Sequence, residues 1–297
     1  ETQLAFDSPF ENEKHVMSGA LTWLTEQSGY EWMNIQSNKT PSTNIQDPSI
    51  SSQINWIGTG SGESRLLGGM INLNYKYLDR YLFTATLRAD AHSSFGANNR
   101  WGLFKGLSAG WRFSEESFLK RFGWLGESKL RVSWGVSGRQ PGDPYARFAT
   151  YASTNTGSYI TYPAIVPTQI QLNNLQWESI ESFDLGLELN LFDDRLYIDP
   201  EIYQKVTSDL LFDNYDIPES SGFSQLKFLN GGELENRGWE IMLDWKIIRR
   251  ENFRWSVNFN TSQNINSFNQ LPDNFNTERS TSISNGEYPL RVMKGEP

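Results

Sequence analysis

From Tyr81 to Asp90 the chain alternates between two kinds of residue, and this regularity limits its fold more than any other feature. Tyr81, Phe83, Ala85, Leu87 and Ala89 share one side, while Leu82, Thr84, Thr86, Arg88 and Asp90 share the other. The split recurs at Phe183, Leu185, Leu187, Leu189 and Leu191 against Asp184, Gly186, Glu188 and Asn190. It returns at Trp239, Ile241, Leu243, Trp245 and Ile247, and at Phe253, Trp255, Val257 and Phe259. A period of two is the signature of a strand with one apolar and one wetted side. Strands are predicted over 14–24, 65–77, 80–91, 101–113, 128–138, 177–192, 195–211, 235–248 and 252–266, with a further one beginning near Pro289.

Most of these runs reach the roughly 9–11 residues that a tilted strand needs to cross a bilayer. Strands of soluble domains are usually about half as long. The connections sort by length. Long ones cover 25–64, 139–176, 212–234 and 267–288, with 92–100 shorter; tight ones lie at Leu78-Asp79, Asp193-Asp194 and Arg249 to Glu251. The segment 114–127 breaks this rule and reads as one short helical turn over Ser114 to Lys120. Short turns at one end and long loops at the other characterise a transmembrane β-barrel, whereas a soluble sandwich has no reason to sort its loops. Tyr75, Tyr77, Tyr81, Phe83, Trp111, Phe113, Phe192, Tyr197, Trp245, Phe253 and Trp255 gather at the tight-turn end. They are expected to form an aromatic girdle at headgroup level. The fold class is therefore all-β, an antiparallel transmembrane barrel.

Composition removes several functions. There is no cysteine, and the only histidines are His15 and His92, so thiolate chemistry and a histidine metal cluster are not expected, and no cofactor is implied. With 35 acidic against 26 basic residues the chain lacks the basic face that nucleic acid requires. The pairs Glu178 and Glu181, Asp193 and Asp194, and Asp209 and Asp213 could each suggest acid–base chemistry. Solvated positions and turn chemistry explain them better. The run Gly58-Thr59-Gly60-Ser61-Gly62 lacks the Lys-Ser/Thr ending of a phosphate loop and reads as flexible loop. No catalytic residue and no enzymatic activity are expected. On the polar sides of the strands stand Arg88, Asp90, Asp184, Glu188, Glu240 and Asp244, which would face a lumen and avoid the cost of charge against lipid.

An ordered series of short motifs then resembles one family. Tyr81 to Asp90 is followed by Ser93-Ser94-Phe95-Gly96, Asn98-Asn99-Arg100-Trp101-Gly102 and Ala109-Gly110-Trp111-Arg112. Then come Lys129-Leu130-Arg131, Trp134-Gly135-Val136-Ser137-Gly138, Leu175-Gln176-Trp177-Glu178, Thr207-Ser208-Asp209-Leu210-Leu211 and Glu235-Asn236-Arg237-Gly238-Trp239-Glu240. In order and spacing these resemble the SusC-like TonB-dependent outer-membrane transporters from about Ser64 onward, and more weakly before it. Ala91-His92 stands where that family usually has Gly, and Trp239 where it often has a β-branched residue.

The resemblance implies a barrel of about 22 strands with a plugged lumen, of which 1–297 would be one part, roughly half the barrel, without the plug domain. It implies TonB-dependent active import of a large solute, an oligosaccharide or oligopeptide, across the outer membrane. The implied partners are a SusD-like surface lipoprotein acting as a lid, the TonB complex through an N-terminal region, and outer-membrane lipid. Two other readings stay open on the residues alone: a soluble carbohydrate-binding or hydrolytic β-protein, and a passive porin-like barrel.

Overall fold

A computed structural model describes residues 2–7, 14–39, 41–42, 44, 47–159, 162–272, 278–283, 286–291 and 293–295. Ten strands form one antiparallel sheet: β1 (Thr2–Asp7), β2 (His15–Asn38), β3 (Gln53–Tyr77), β4 (Tyr81–His92), β5 (Trp101–Trp111), β6 (Lys129–Arg139), β9 (Glu178–Leu191), β10 (Leu196–Asp216), β11 (Gln225–Arg250) and β12 (Phe253–Gln270). Each pairs with its neighbours in chain order, except that the hairpin β7 (Thr150–Tyr159) and β8 (Tyr162–Gln169) is inserted between β6 and β9. A second hairpin, β13 (Glu278–Ile283) and β14 (Gly286–Arg291), lies beyond β12. The sheet is open, part of a barrel rather than a closed one.

All nine strands predicted before Pro289 are present, but several run further than the alternation suggested. β2, β3 and β11 are 24, 25 and 26 residues long, about 80 Å or more at roughly 3.4 Å per residue. Most of the segment 25–64, expected as loop, is strand, with β2 running to Asn38 and β3 starting at Gln53. The segment 139–176 likewise contains β7 and β8, and the strand expected near Pro289 is the second arm of a separate hairpin. β1 has no counterpart among the predicted strands.

The tight turns form where expected. Leu78 and Asp79 both adopt positive φ (51° and 55°), as do Phe192, Asp193 and Asp194. Asp tolerates this left-handed conformation better than most residues, and it matches the twist of the flanking strands. Asp79 is also held by Lys76 at 3.1 Å and by Arg112. Residues 112–128 form a 3-10 turn at Phe113–Glu115 and then fold back onto β9, where Gly126 donates to the Asn190 carbonyl at 2.8 Å.

Pairing register separates the two sides of the sheet. Phe83, Ala109, Val132, Leu185, Ile202 and Trp239 lie in one row from β4 to β11. One residue over, Thr84, Ser108, Ser133, Asp184, Tyr203, Gly238 and Asn264 form a row on the other side. The apolar side is open: Leu107, Ile202 and Phe259 are 57%, 53% and 55% exposed. No second layer covers it among the described residues, whose ten long-paired strands form a single sheet and not a two-layer sandwich. Two details depart from strict alternation. Lys105 stands on the apolar side between Leu103 and Leu107, in register with Leu87. Tyr197, assigned above to the girdle, pairs with Asn190 and Asp244 and so belongs to the polar side.

The only buried apolar cluster among the described residues sits at the long-loop end. Phe95, Ala146, Leu175 and Phe228 are buried there, with Leu172, Trp177 and Leu211 packed against them. Phe95 and Trp177 have ring centroids 4.4 Å apart. Backbone bonds lock the loops around this cluster: Gly96 donates to the Leu175 carbonyl at 3.0 Å, and Leu172 to that of Arg147 at 2.9 Å. Side chains add to them. Asn99 Nδ2 donates to the Asn174 carbonyl, Trp177 Nε1 to that of Arg100, and Asn230 Nδ2 to that of Gln176, each at 2.9 Å. Three loops and the start of β11 are thus one packed unit.

Candidate functional site, the polar wall of the sheet

The six candidate side chains share the polar side, but they fall into separate groups. Arg88 and Asp90, two apart on β4, form an ion pair at 2.6 Å, with Asp90 almost fully buried. Asp90 fits because β3 has glycine opposite it; a Cβ on Gly68 would lie 2.4 Å from Asp90 Oδ1. Asp184 accepts a bond from Ser133 Oγ at 3.1 Å. Arg88, Asp90 and Asp184 all border one groove of about 700 Å³, together with Phe104, Ser137 and Trp177. Gly106 and Gly135 pair directly and line the groove without side chains. Phe104 stands over Gly102 and Gly138, which leave room for its ring.

Glu188 belongs to a second group nearer the tight turns. It meets Lys129 at 3.0 Å and Arg131 at 3.4 Å, and Arg131 also meets Asp199 at 3.0 Å and Glu201. Glu240 pairs in register with Glu201, and with it lines a shallow depression that includes Asp199, Asn260 and Ser262. Asp244 stands apart, opposite Tyr197. Sequence reading missed Arg131, Asp199 and Glu201, although all three alternate with apolar neighbours and obey the same rule. Phe104, which the sequence reading did not consider, is on the polar side by its register with Arg88.

The tight-turn end carries its own network. Glu116 accepts bonds from Tyr81 Oη at 2.7 Å and Trp111 Nε1 at 3.2 Å, and pairs with Arg80 at 3.2 Å. Two aromatic residues of the apolar side therefore aim their polar tips at the turn, as rings at a membrane boundary do. The Tyr81 and Trp111 bonds hold the Glu116 carboxyl below its ordinary value of 4.5. A lowered folded-state pKa stabilises above the unfolded value and is lost as pH falls through the folded one. The Glu116→Gln variant is expected to melt below the unaltered protein at neutral pH, with the gap closing below about pH 4.5. Melting in detergent from pH 7 to pH 3 tests this, and a gap that does not change with pH contradicts it.

Among the described residues no group of three or more His, Asp or Glu is placed to hold a metal ion. The arrangement is a long polar wall, its charges compensated at Arg88–Asp90 and around Arg131, backed by an open apolar surface.

Comparison with known proteins agrees with this geometry. A family model described as TonB dependent receptor-like, beta-barrel matches residues 2–291. TonB-dependent receptor P39 of Formosa agariphila is 34% identical over 265 residues, 88% of this chain and 25% of that protein. TonB-dependent receptor SusC of Bacteroides thetaiotaomicron is 35% identical over 206 residues, 67% of this chain and 20% of that protein. A solved structure of the RagAB peptide importer superposes with a TM-score of 0.82 at 21% identity, over 99% of this chain and 31% of that one. The chain thus spans about a quarter of the curated relatives it matches. It belongs to the TonB-dependent receptor β-barrel family, is SusC-like in sequence, and forms part of such a barrel.

Proposed function

We propose that this chain is wall and external loop structure of an outer-membrane importer that takes up a large solute, an oligosaccharide or oligopeptide, with energy delivered through TonB. The observation that carries the reading is the two-sided sheet. One side is an uncovered apolar surface edged at the tight turns by Tyr75, Tyr77, Tyr81 and Trp111, and the other a continuous polar wall. A bilayer on one flank and water on the other satisfies both at once.

In this reading the polar side lines the lumen, and Arg88, Asp90, Asp184, Glu188, Glu240 and Asp244 keep that wall hydrated. The plug and the TonB-contacting segment are assigned to the remainder of a full-length protein. A SusD-like lipoprotein would close over the packed loops at the opposite end. Support for a lid partner comes from SusC as a relative and from the RagAB assembly as a structural neighbour. The full-length protein is expected in the outer-membrane fraction, and uptake of its solute should stop when TonB is deleted. Uptake that continues without TonB would favour passive flow and end the proposal.

A further inference from the structure

The glycine run Gly58-Thr59-Gly60-Ser61-Gly62 is not loop but part of β3, in the stretch where β2 and β3 extend as a two-stranded ribbon. Its three glycines face one side, and each has an aromatic ring laid over it. A Cβ on Gly62 would meet three Tyr30 ring and hydroxyl atoms at 2.5–2.8 Å, and one on Gly60 three Trp32 indole atoms at 2.5–2.9 Å. A Cβ on Gly58 would meet three Trp56 atoms at 2.0–2.9 Å. Several atoms of one ring can lie so close to one backbone point only if the ring lies against the ribbon. Aromatic cover over glycine is a known way for strands to shield bare backbone. One such pair would need no further explanation. Three in succession make a flat strip, and Tyr30, Trp32 and Trp56 remain 54%, 48% and 49% exposed.

This strip continues the polar side of the sheet, since Thr22 further down β2 pairs with Met70, which pairs with Arg88. Its remaining side chains are Ser28, Ser64, Asn34 and Gln36, with Glu26 and Leu66 at the base. Apart from Glu26, the charged residues of the ribbon strands lie on the other side, where Glu63 meets Gln27 at 2.8 Å and Arg65 at 2.8 Å. No lysine or arginine stands on the aromatic side between Glu26 and Gln36 or between Trp56 and Leu66. An anionic partner therefore finds no counter-charge there. An apolar partner would leave the flanking hydroxyls and amides unpaired, at a cost.

We infer that Tyr30, Trp32 and Trp56 form a binding strip for a neutral oligosaccharide. The apolar C–H face of each sugar ring stacks on an aromatic face, and its hydroxyls reach the Ser, Asn and Gln side chains. The three glycines span four residues, about 14 Å, so a chain of several sugars meets all three rings. Of the import reading above, the inference uses only the position of this ribbon outside the bilayer, and it favours saccharide over peptide as the solute first met there.

The test uses the full-length protein in detergent with cellohexaose, xylohexaose, laminarihexaose, maltohexaose and mannohexaose as probes, followed by calorimetry and tryptophan fluorescence. At least one is expected to bind, with an affinity unchanged between 0.05 and 0.5 M salt because no charges meet. The Trp32→Ala/Trp56→Ala double variant should weaken it about tenfold or more, as loss of aromatic anchors does. Gly60→Ala keeps every ring but pushes Trp32 off the backbone, and should weaken binding as well. Heat-modifiable gel mobility reports whether each variant is folded. No binding by any hexaose, or equal binding by folded Trp32→Ala/Trp56→Ala protein, overturns the inference. So does a strip that is protected only when a lid protein is present. TonB-dependent uptake of peptide with no hexaose binding would sink the strip and leave the importer standing. Hexaose binding without TonB-dependent uptake would do the reverse.

Discussion

Ile202→Arg is expected to prevent stable insertion of the barrel, whereas Met242→Arg, on the opposite side of the same sheet, is expected to be tolerated. Ile202 lies on the apolar side between Leu185 of β9 and Trp239 of β11, about half of it exposed. It stands six residues up β10 from Leu196, clear of the tight-turn girdle. An arginine near the bilayer midplane costs about 2–4 kcal/mol. At about 1.4 kcal/mol per factor of ten, that lowers the folded-to-unfolded ratio by roughly 30-fold to nearly 1000-fold. Met242 is just as open, at 49% exposed, but it sits in register with Asp199 and Asn260. An arginine there meets water and a carboxylate, so little change is expected. Guanidinium titration in lipid vesicles, read by gel mobility, compares the two. Equal loss in both variants, or none in Ile202→Arg, would show that the apolar side does not meet hydrocarbon.

Such a test can be designed because most of the sheet was legible in the sequence. Alternation over Tyr81 to Asp90 and Phe183 to Leu191 identified β4 and β9 to within a residue or two, because a side-chain period of two has no other common cause. The turns at Leu78-Asp79 and Asp193-Asp194 were legible for the same reason of local chemistry. Legibility ended where alternation stopped reporting on environment. In the ribbon of β2 and β3 both sides are exposed, so apolar and polar residues no longer sort by side, and Gly58 to Gly62 reads as loop. Tyr197 misled in the opposite sense, as an aromatic residue stationed on the polar side. The grouping of the wall charges was hidden too. Arg131 meets Asp199 and Glu201 from about 70 positions away, and only the register of three strands brings them together.

The loop-end cluster was the least visible part, and it carries the second large effect. In the sequence Ser93-Ser94-Phe95-Gly96 and Leu175-Gln176-Trp177-Glu178 read only as motifs; the structure packs Phe95 with Leu175 and Trp177 in one cluster. Phe95 is fully buried against Trp177 and Leu175, and buried Phe→Ala changes cost about 3–5 kcal/mol. In Phe95→Ala this cost falls on the loop unit rather than on the sheet, whose strands keep their pairing and their lipid side. The expected result is that residues 93–100, 140–149 and 170–177 open together, with hydrogen exchange there faster by two to three orders of magnitude or more. Insertion and resistance of the sheet to guanidinium should change little. Gly96→Ala should open the same unit by another route, since its Cβ would fall 1.8 Å from the Asn173 carbonyl oxygen, a backbone atom that cannot swing aside. Limited proteolysis and hydrogen exchange on both variants decide the matter. Exchange confined to residues 93–100 would mean that the three loops are separate after all. Loss of insertion would mean that the cluster is needed to build the barrel rather than to hold its outer loops.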